Sequence, residues 1–498
     1  MVAGVDPRAA CIIGVAQRTW HLSGDDEAPE PLVMAGEVAR SAAADAGGRG
    51  DVLAAVDRLD VVHCMSWPYD DLPGRIAGQV GIEPGRSAYS AMGGTSPQRM
   101  LSAAAEAIGR GELDVAMVVG AEALDTKRRL KRAGERPAWS HRAPTRPPFE
   151  LDVHPAEITH EVFQAWLTFA LRDVARRARL GVAPDAYRRR LGELMAPMTV
   201  VAAANPHAWF PTARSVDDLV TPTSANRMVG YPYTRNMVAI MDVDMAAGVI
   251  MASDEAADRL GVPPERRVYL RGHSAGRDAT YVAEHPDLWR SPAMARALPG
   301  ALRDAGADID DVAHLDLYSC FGASLHFACD ALGIDPLGID GSGRSLTVTG
   351  GLPYAGGPGS NYLAHAVATM VEALRRDPGS FGMVTGVGMH MTDHVAAVYS
   401  TTPGTRVGAS VVGEPPPERR PLAATWDGPA TVASYSVVHD RDGAPVWGLV
   451  VVDVASGSSR AYGRVDDPDL LTDMEAAEWV GRAVTSRSGD DGVNRVVA

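Results

Sequence analysis

The chain has 498 residues, enough for two or three domains with large cores, and its 46% hydrophobic and 22% charged content is that of an ordinary globular protein. Its 47 Lys and Arg against 62 Asp and Glu leave a formal net charge of -15, which argues against nucleic acid or an anionic membrane as partner. Cys11, Cys64, Cys320 and Cys329 sit in apolar segments without a C-x-x-C pair and read as buried reduced thiols. No spacing suggests a metal site, no run approaches 18 apolar residues, and Met1–Pro7 is not a basic, apolar leader, so a cytoplasmic protein is expected.

In chain order, Ala9–Val15 predicts a buried strand, and Leu32, Val33, Ala35, Val38, Ala39 and Ala42 form a helical stripe closed by Gly47-Gly48. Leu59–Met65 predicts a second strand and Ile76–Val80 a short helix. A turn, Gly93-Gly94-Thr95-Ser96, then feeds the helix of Ala104, Ala105 and Ile108, and Val115–Gly120 follows as a strand. For Thr95 and Ser96, at the start of that helix, capping is the expected role. Buried strands alternating with helices predict an α/β layer with a mostly parallel sheet. From Lys127 to Ala225 the alternation stops, as in an insertion. It holds the basic run Lys127, Arg128, Arg129 to Arg132, a Pro-rich stretch ending near Pro148, helices about 157–179 and 184–202, and Asn205-Pro206-His207-Ala208-Trp209-Phe210. The basic run is either a phosphate-docking patch or a solvated charge run.

The sheet is expected to resume at Met237–Val243, with a helix over Ala246–Leu260. A second α/β half begins at Arg267–Leu270, with a helix at Ala293–Ala305, strands at His314–Tyr318, Phe381–Val387 and Val395–Tyr399, and a helical segment at Phe321–Leu332. Its centre is the glycine-rich stretch Thr349–Asn361, which holds Gly356-Gly357-Pro358 and runs into the stripe of Leu363, Val367, Met370 and Leu374. Such a turn aims backbone N–H groups at a carbonyl oxygen, an oxyanion or a phosphate. Beyond Thr402, a polar linker with Glu414–Pro417 leads to strands at Ala430–Val438 and Pro445–Val454 joined by an Asp-Gly turn, and a last helix at Leu470–Val484. These suit a small β-rich domain.

Four echoes run in the same order through both halves. Gly93-Gly94 matches Gly356-Gly357, Leu59–Cys64 matches Leu315–Cys320, Ala116–Gly120 matches Gly382–Gly386, and Asp45–Gly47 matches Asp304–Gly306. They argue an internal duplication that brings the two glycine turns together at a pseudo-twofold axis. The expected division is 1–126 with 226–262, an inserted 127–225, a second half 263–404, a linker 405–420 and a final domain 421–498.

Over about residues 8–402 the motifs resemble the thiolase superfamily in its sterol-carrier-protein-2-type branch. They are Gly111-Glu112, Gly120-Ala121-Glu122, Asn205-Pro206-His207, Asp244-Met245-Ala246-Ala247, Tyr318-Ser319-Cys320-Phe321 and Gly356-Gly357-Pro358. The appended domain is similar to that of the thiolase-like proteins of type 1, whose fold-based label is acetyl-CoA acetyltransferase. The resemblance implies an α/β thiolase fold of two duplicated αβαβα halves, an inserted loop domain, a small OB-like C-terminal domain, and coenzyme A or an acyl-CoA as ligand, with no covalent cofactor. A homodimer, or a protein partner on the C-terminal domain, is also compatible with it.

The departures decide the expected chemistry. The family's nucleophilic Cys falls at Gly94, its activating His at Gly357 and its second Cys at Val384 or Thr385, while Tyr318 replaces the residue holding the oxyanion-site water. Glycine offers no thiolate, so ordinary thiolysis is not expected. Some thiolase-like proteins are cysteine-free retro-aldolases using tyrosines, which makes Tyr318 a candidate acid/base, with Tyr354 and Tyr362 beside the central turn. His326, His365, His390 and His394 lie near the motifs, and His365 and His390 are close enough to test. The candidate ligand-binding residues are Gly93, Gly94, Ser96, Gly356, Gly357, Pro358, Lys127, Arg128 and Arg129.

Overall fold

A computed structural model describes residues 5–23, 26–145, 152–337, 343–404 and 418–497. The end of the Pro-rich stretch near Pro148 and Glu414–Pro417 of the expected linker lie outside the described residues. The first half runs β1 (Ala10–Thr19), α1 (Pro31–Asp45), β2 (Arg58–Val61), α2 (Leu72–Val80), β3 (Arg86–Tyr89), α3 (Ser96–Gly109) and β4 (Val115–Ala123). The inserted region follows with α4 (Leu124–Arg132), α5 (Pro155–Thr159), α6 (Ala165–Arg179), α7 (Pro184–Ala204), α8 (Val216–Val220), β5 (Met228–Gly230) and β6 (Tyr233–Thr234). Then β7 (Asp244–Ser253) and α9 (Asp254–Arg259) return to the sheet. The second half is β8 (Val268–Arg277), α10 (Pro292–Ala305), β9 (Val312–Asp316), α11 (Gly322–Leu332), α12 (Tyr362–Arg376), β10 (Phe381–Gly388) and β11 (Asp393–Ser400).

These strands form one nine-stranded sheet in the order β3-β2-β4-β7-β1-β8-β11-β10-β9. The two halves repeat one pattern. β2 is parallel to β4, β4 antiparallel to β7 and β7 to β1; β9 is parallel to β10, β10 antiparallel to β11 and β11 to β8. They join where Cys11 lies opposite Tyr269 and Ile12 opposite Val268. The duplication reaches individual side chains. Asp45 at the end of α1 accepts from the Val15 N–H at 3.0 Å, and Asp304 at the end of α10 accepts from the His273 N–H at 2.9 Å. Beside them, Gly14 and Gly272 bring their strands so close to the helix carbonyls of Ala42 and Ala301 that a Cβ would not fit.

Several expectations are corrected. The sheet is mixed rather than mostly parallel. Met237–Val243 is no strand, since Arg235–Met237 is a single 3-10 turn. The expected helix Ala246–Leu260 is strand through Ser253 and helix only over Asp254–Arg259. Helix propensity is a weak prior, and this wholly buried run of small residues is claimed by ladders on both edges, from β4 and β1. The single helix expected over 157–179 is two, α5 and α6, separated at Glu161, where φ is +58°.

The C-terminal part comprises β12 (Leu422–Ala423), β13 (Gly428–His439), β14 (Pro445–Val454), β15 (Ser459–Val465), α13 (Pro468–Ala476), β16 (Ala483–Ser488) and β17 (Asn494–Val497). The expected helix Leu470–Val484 therefore ends early; Gly481 takes φ +86° and Val484 joins a strand. The ladders β13-β14-β15-β17-β16 close back on β13, a five-stranded barrel around Tyr435, Val437, Val450, Val452 and Trp479. The barrel sits on the inserted helices. The Ser434 hydroxyl donates to the Leu171 carbonyl at 2.6 Å, and Arg177, 1% exposed, donates to the Tyr435 hydroxyl at 3.0 Å and to Glu478 at 2.8 Å.

Candidate functional site

The two glycine turns meet. The Gly93 N–H donates to Ser360 Oγ at 3.0 Å, and the Asn361 side-chain amide donates to the Gly120 carbonyl at 2.8 Å, which fixes the second half's turn on the first half's β4. At their junction stands Gly94. A Cβ built there would land on the Tyr318 hydroxyl and on the Val387 carbonyl oxygen. The phenol of one half thus fills the space above the backbone of the other. Tyr318 is held by its own N–H, which donates to Thr385 Oγ1 at 2.9 Å, and by edge-on packing against Tyr362 at 5.5 Å. It is 6% exposed, and burial pushes its hydroxyl above the ordinary phenol value.

Two of the turns' N–H groups are already engaged. Besides the Gly93 bond, the Gly357 N–H donates to the Ile240 carbonyl at 2.7 Å. A Cβ on Gly357 would meet that carbonyl and the Leu352 side chain at 3.3 Å, and one on Gly356 would meet Met245 and Trp209. The turn is anchored from beneath by Asp316, fully buried at the end of β9. Its carboxylate accepts from Tyr362 Oη at 2.8 Å, from Thr347 Oγ1 and Thr349 Oγ1 at 2.9 Å, and from the N–H groups of Val348 and Thr349 at 3.1 Å. From above, the Asn205–Phe210 motif is stitched on. Asn205 Nδ2 donates to the Thr349 carbonyl at 2.8 Å, the Trp209 N–H to Ala355 at 3.0 Å and the Phe210 N–H to Tyr354 at 2.8 Å. Tyr354 is 2% exposed with its hydroxyl unpartnered, and burial raises its pKa as well.

Other candidates fall elsewhere. Neither Thr95 nor Ser96 caps α3; Thr95 donates to Asp393 at 2.6 Å and Ser96 to the Ala91 carbonyl at 3.1 Å. Lys127 donates to the Met65 carbonyl at 3.3 Å, Arg128 to Asp242 at 2.6 Å, and Arg129 pairs with Asp125 at 3.5 Å. His365 shares a hydrogen bond with Gln17 at 3.1 Å, and burial pushes it down to about 3. His390 faces Thr168 at 3.0 Å, His326 lies 3.4 Å from Asp173, and His394 lies 3.3 Å from Asp278. All four cysteines are free and buried. Cys320 sits beside Ser324 and Cys64 near Glu122, with no histidine at either contact. Burial holds Cys320 and Cys329 up at about 12 and raises Cys11 and Cys64 too.

Two participants are missing from the candidate site residues, although Glu122 belongs to the Gly120-Ala121-Glu122 motif. Val387, at the end of β10, puts an atom against Gly94, and it does so through its backbone, which no residue pattern marks. Glu122 is buried behind the Gly359 turn and accepts from the N–H groups of Met65 at 2.7 Å and Ser66 at 2.9 Å; burial pushes it up to about 7. Among the described residues no group of three or more His, Cys, Asp or Glu is placed to hold a metal ion, and no helix is long and apolar enough to cross a membrane.

Residues 412–491 match the family model of the additional C-terminal domain of thiolase-like protein type 1. A monomeric SCP2-thiolase-like protein type 1 from Mycobacterium smegmatis aligns with a TM-score of 0.84 and 32% identity, over 99% of this chain and 100% of that one. An Ltp2-ChsH2(DUF35) aldolase shares the fold, with a TM-score of 0.59 and 19% identity over 82% of this chain and 100% of that one. A 3-ketoacyl-CoA thiolase from Salmonella heidelberg (strain SL476) is 29% identical over 154 residues, 28% of this chain. The chain spans about a third, 33%, of the length of that curated relative.

Proposed function

This chain belongs to the SCP2-thiolase-like proteins of type 1, and on that premise we propose that it binds coenzyme A or an acyl-CoA on a thiolase scaffold without thiolysis. The observation that carries this reading is the contact of Tyr318 with Gly94. Acyl transfer in the family needs a thiolate aimed at a carbonyl carbon; here the position has no side chain, and a buried phenol stands on it. No other thiol of the chain offers a substitute. Each is buried and held protonated, and a protonated thiol is a poor nucleophile. Spent N–H groups at Gly93 and Gly357 add to the case.

The ligand class rests on the kept fold and on the CoA thioester in the curated relative's name. Lys127, Arg128 and Arg129 belong to this reading as phosphate contacts, with the qualification that a phosphate must displace their present carboxylate and carbonyl partners. The barrel rests on the chain's own inserted helices, and the relative from M. smegmatis is described as monomeric; both support a monomer.

A second reading, a cysteine-free acyl-CoA lyase or acyltransferase with Tyr318 as acid/base, draws on the same contact. Burial keeps the phenol protonated at neutral pH, which suits proton donation and opposes a role as base. Calorimetric titration with CoA and acetoacetyl-CoA, paired with product analysis, separates the readings. Saturable binding without turnover supports the first. Turnover that vanishes in Tyr318→Phe supports the second, and absence of binding contradicts both.

A further inference from the structure

Where α6, the loop after β8 and the barrel meet, they leave a groove of about 400 Å³. Its walls come from all three: Ala178 and Arg179 of α6, Leu288 and Trp289 of the loop, and Val432 and Val480 of the barrel. The concavity has a cause in β13. Its register against β14 shifts between Val432 and Ser434, a bulge that bends the strand where it borders the groove. Backbone bonds then fix that wall. The Val432 N–H donates to the Arg482 carbonyl at 3.0 Å, and the Gly481 N–H to the Val432 carbonyl at 2.8 Å. Across the groove Arg460, 4% exposed, clamps the loop to the barrel, donating to the Pro286 carbonyl at 3.1 Å and to Asp453 at 2.9 Å. The groove is thus preformed, and it lies at a domain interface, where small-molecule sites concentrate.

The lining carries charge of both signs, and its carboxylates are all matched. Asp453 accepts from Arg420 at 3.0 Å and from Arg460, Glu478 accepts from Arg177 at 2.8 Å, and Asp287 accepts from Arg290 at 2.7 Å. Arg179 is the lining cation left over. Among the described residues no carboxylate pairs with its guanidinium, which lies 5.3 Å from the ring centre of Trp289. Stacking on the indole holds the planar fork in place and leaves its N–H edge free for an acceptor. Arg179 is exposed, whereas Leu288 and Val432 are 2% and 1% exposed, so the groove runs from a cation in reach of solvent to a buried aliphatic floor. Apart from Trp289, the apolar lining is aliphatic throughout.

We propose that this groove binds an aliphatic monocarboxylate. The two carboxylate oxygens accept side-on from the Arg179 guanidinium, and the alkyl chain lies along Leu288, Val432 and Val480. Charge selects a single anion: Asp287, Asp453 and Glu478 border the same space, and a phosphate dianion meets their repulsion twice over. The aliphatic floor selects the body, because a polyhydroxylated ligand leaves its hydroxyls there without partners. Bound in this way, the ligand bridges α6, the second half and the barrel. The proposal is independent of the events at Gly94 and of coenzyme A.

The test is isothermal titration of the full chain with sodium octanoate, with acetate, octanol and inorganic phosphate as comparison arms. Acetate carries the head without the chain, octanol the chain without the charge, and phosphate the charge alone. The expected result is saturable binding at a single site for octanoate only. Its affinity falls about tenfold or more in Arg179→Met, which removes the cation, and in Ala178→Phe, which fills the groove. It is unchanged in Arg290→Met, a cation 5.0 Å from the same indole that does not line the groove. Saturating coenzyme A leaves the octanoate isotherm as it was, which keeps this site apart from Gly94. No binding by the wild-type protein, octanol or phosphate binding as tight as octanoate, displacement by coenzyme A, or undiminished affinity in Arg179→Met contradicts the proposal. Should Arg179→Met fail to fold, Ala178→Phe decides: undiminished octanoate affinity there overturns it.

Discussion

The hydroxyl of Tyr318, at the end of one half's sheet, occupies the space that a side chain on Gly94, in the other half's turn, would need. The two positions belong together through the pseudo-twofold arrangement, in which the turn before α3 faces the segment after β9. The substitution at 94 and the bulk at 318 are therefore one change seen from two sides. Glycine at 94 makes room, and the aromatic ring fills it.

That coupling is measurable. Gly94→Ala places a methyl group on the Tyr318 hydroxyl and the Val387 carbonyl, and is expected to cost about 1–3 kcal/mol, the range for overpacking. In Gly94→Ala/Tyr318→Phe, removing the hydroxyl oxygen should return part of that loss. Denaturant unfolding of the four proteins in the cycle gives the interaction energy, and additivity of the two substitutions would show that they do not touch.

Asp316 is the anchor of the central turn. Its five donors come from Thr347, Val348, Thr349 and Tyr362. Asp316→Ala leaves them buried without an acceptor, and a loss of about 3–5 kcal/mol is expected. Thermal unfolding checks it. A variant as stable as the wild type would place the anchor elsewhere.

Glu122 gives the stability a pH dependence of known sign. Burial raises its folded pKa from 4.5 to about 7, so the folded state favours the protonated form. Its contribution is fully present below the unfolded value and is lost as pH rises through about 7. Between those limits the loss amounts to about 3 kcal/mol, at roughly 1.4 kcal/mol per unit. Unfolding free energies across pH 4 to 8 should therefore carry a downward component that Glu122→Gln removes. An identical pH profile in Glu122→Gln would refute it.

The barrel is expected to be required for the fold. It covers α6 and the β5–β6 turn, where Ser434 and Ser436 bond the Leu171 and Tyr231 carbonyls at 2.6 and 2.7 Å, and Arg177 is buried against Tyr435 and Glu478. Truncation after residue 404 exposes those groups, so residues 1–404 alone should be aggregation-prone or lack a cooperative transition. A soluble truncated chain with an undiminished melting transition would mark the barrel as an independent appendage.

Much of the fold was legible because it is written twice. The Leu59 and Leu315 segments became β2 and β9, the Ala116 and Gly382 segments became β4 and β10, and Asp45 and Asp304 cap the same corner in both halves. Residues 246–253 were misread since Ala-rich runs suit helices in isolation, and only the ladders from β1 and β4 make them a strand. At the site, Gly94, Gly357 and Tyr318 could be picked out singly. Their contacts could not, because the bonds of the Gly93 and Gly357 N–H groups and the Val387 carbonyl are made by backbone, where residue identity leaves no mark. Arg172 and Arg177 escape notice for the opposite reason: as basic residues on a helix rich in arginine, they carry no sign in sequence of being turned inward.

The central claim is that no side chain of this protein becomes acylated by a CoA thioester. Intact-mass measurement of the full chain after incubation with acetoacetyl-CoA tests it most directly. The account predicts the unmodified mass, with ligand released on denaturation. A stable acetyl or acetoacetyl adduct that maps by peptide analysis to Cys320, Cys64 or any residue beside Gly94 would contradict it.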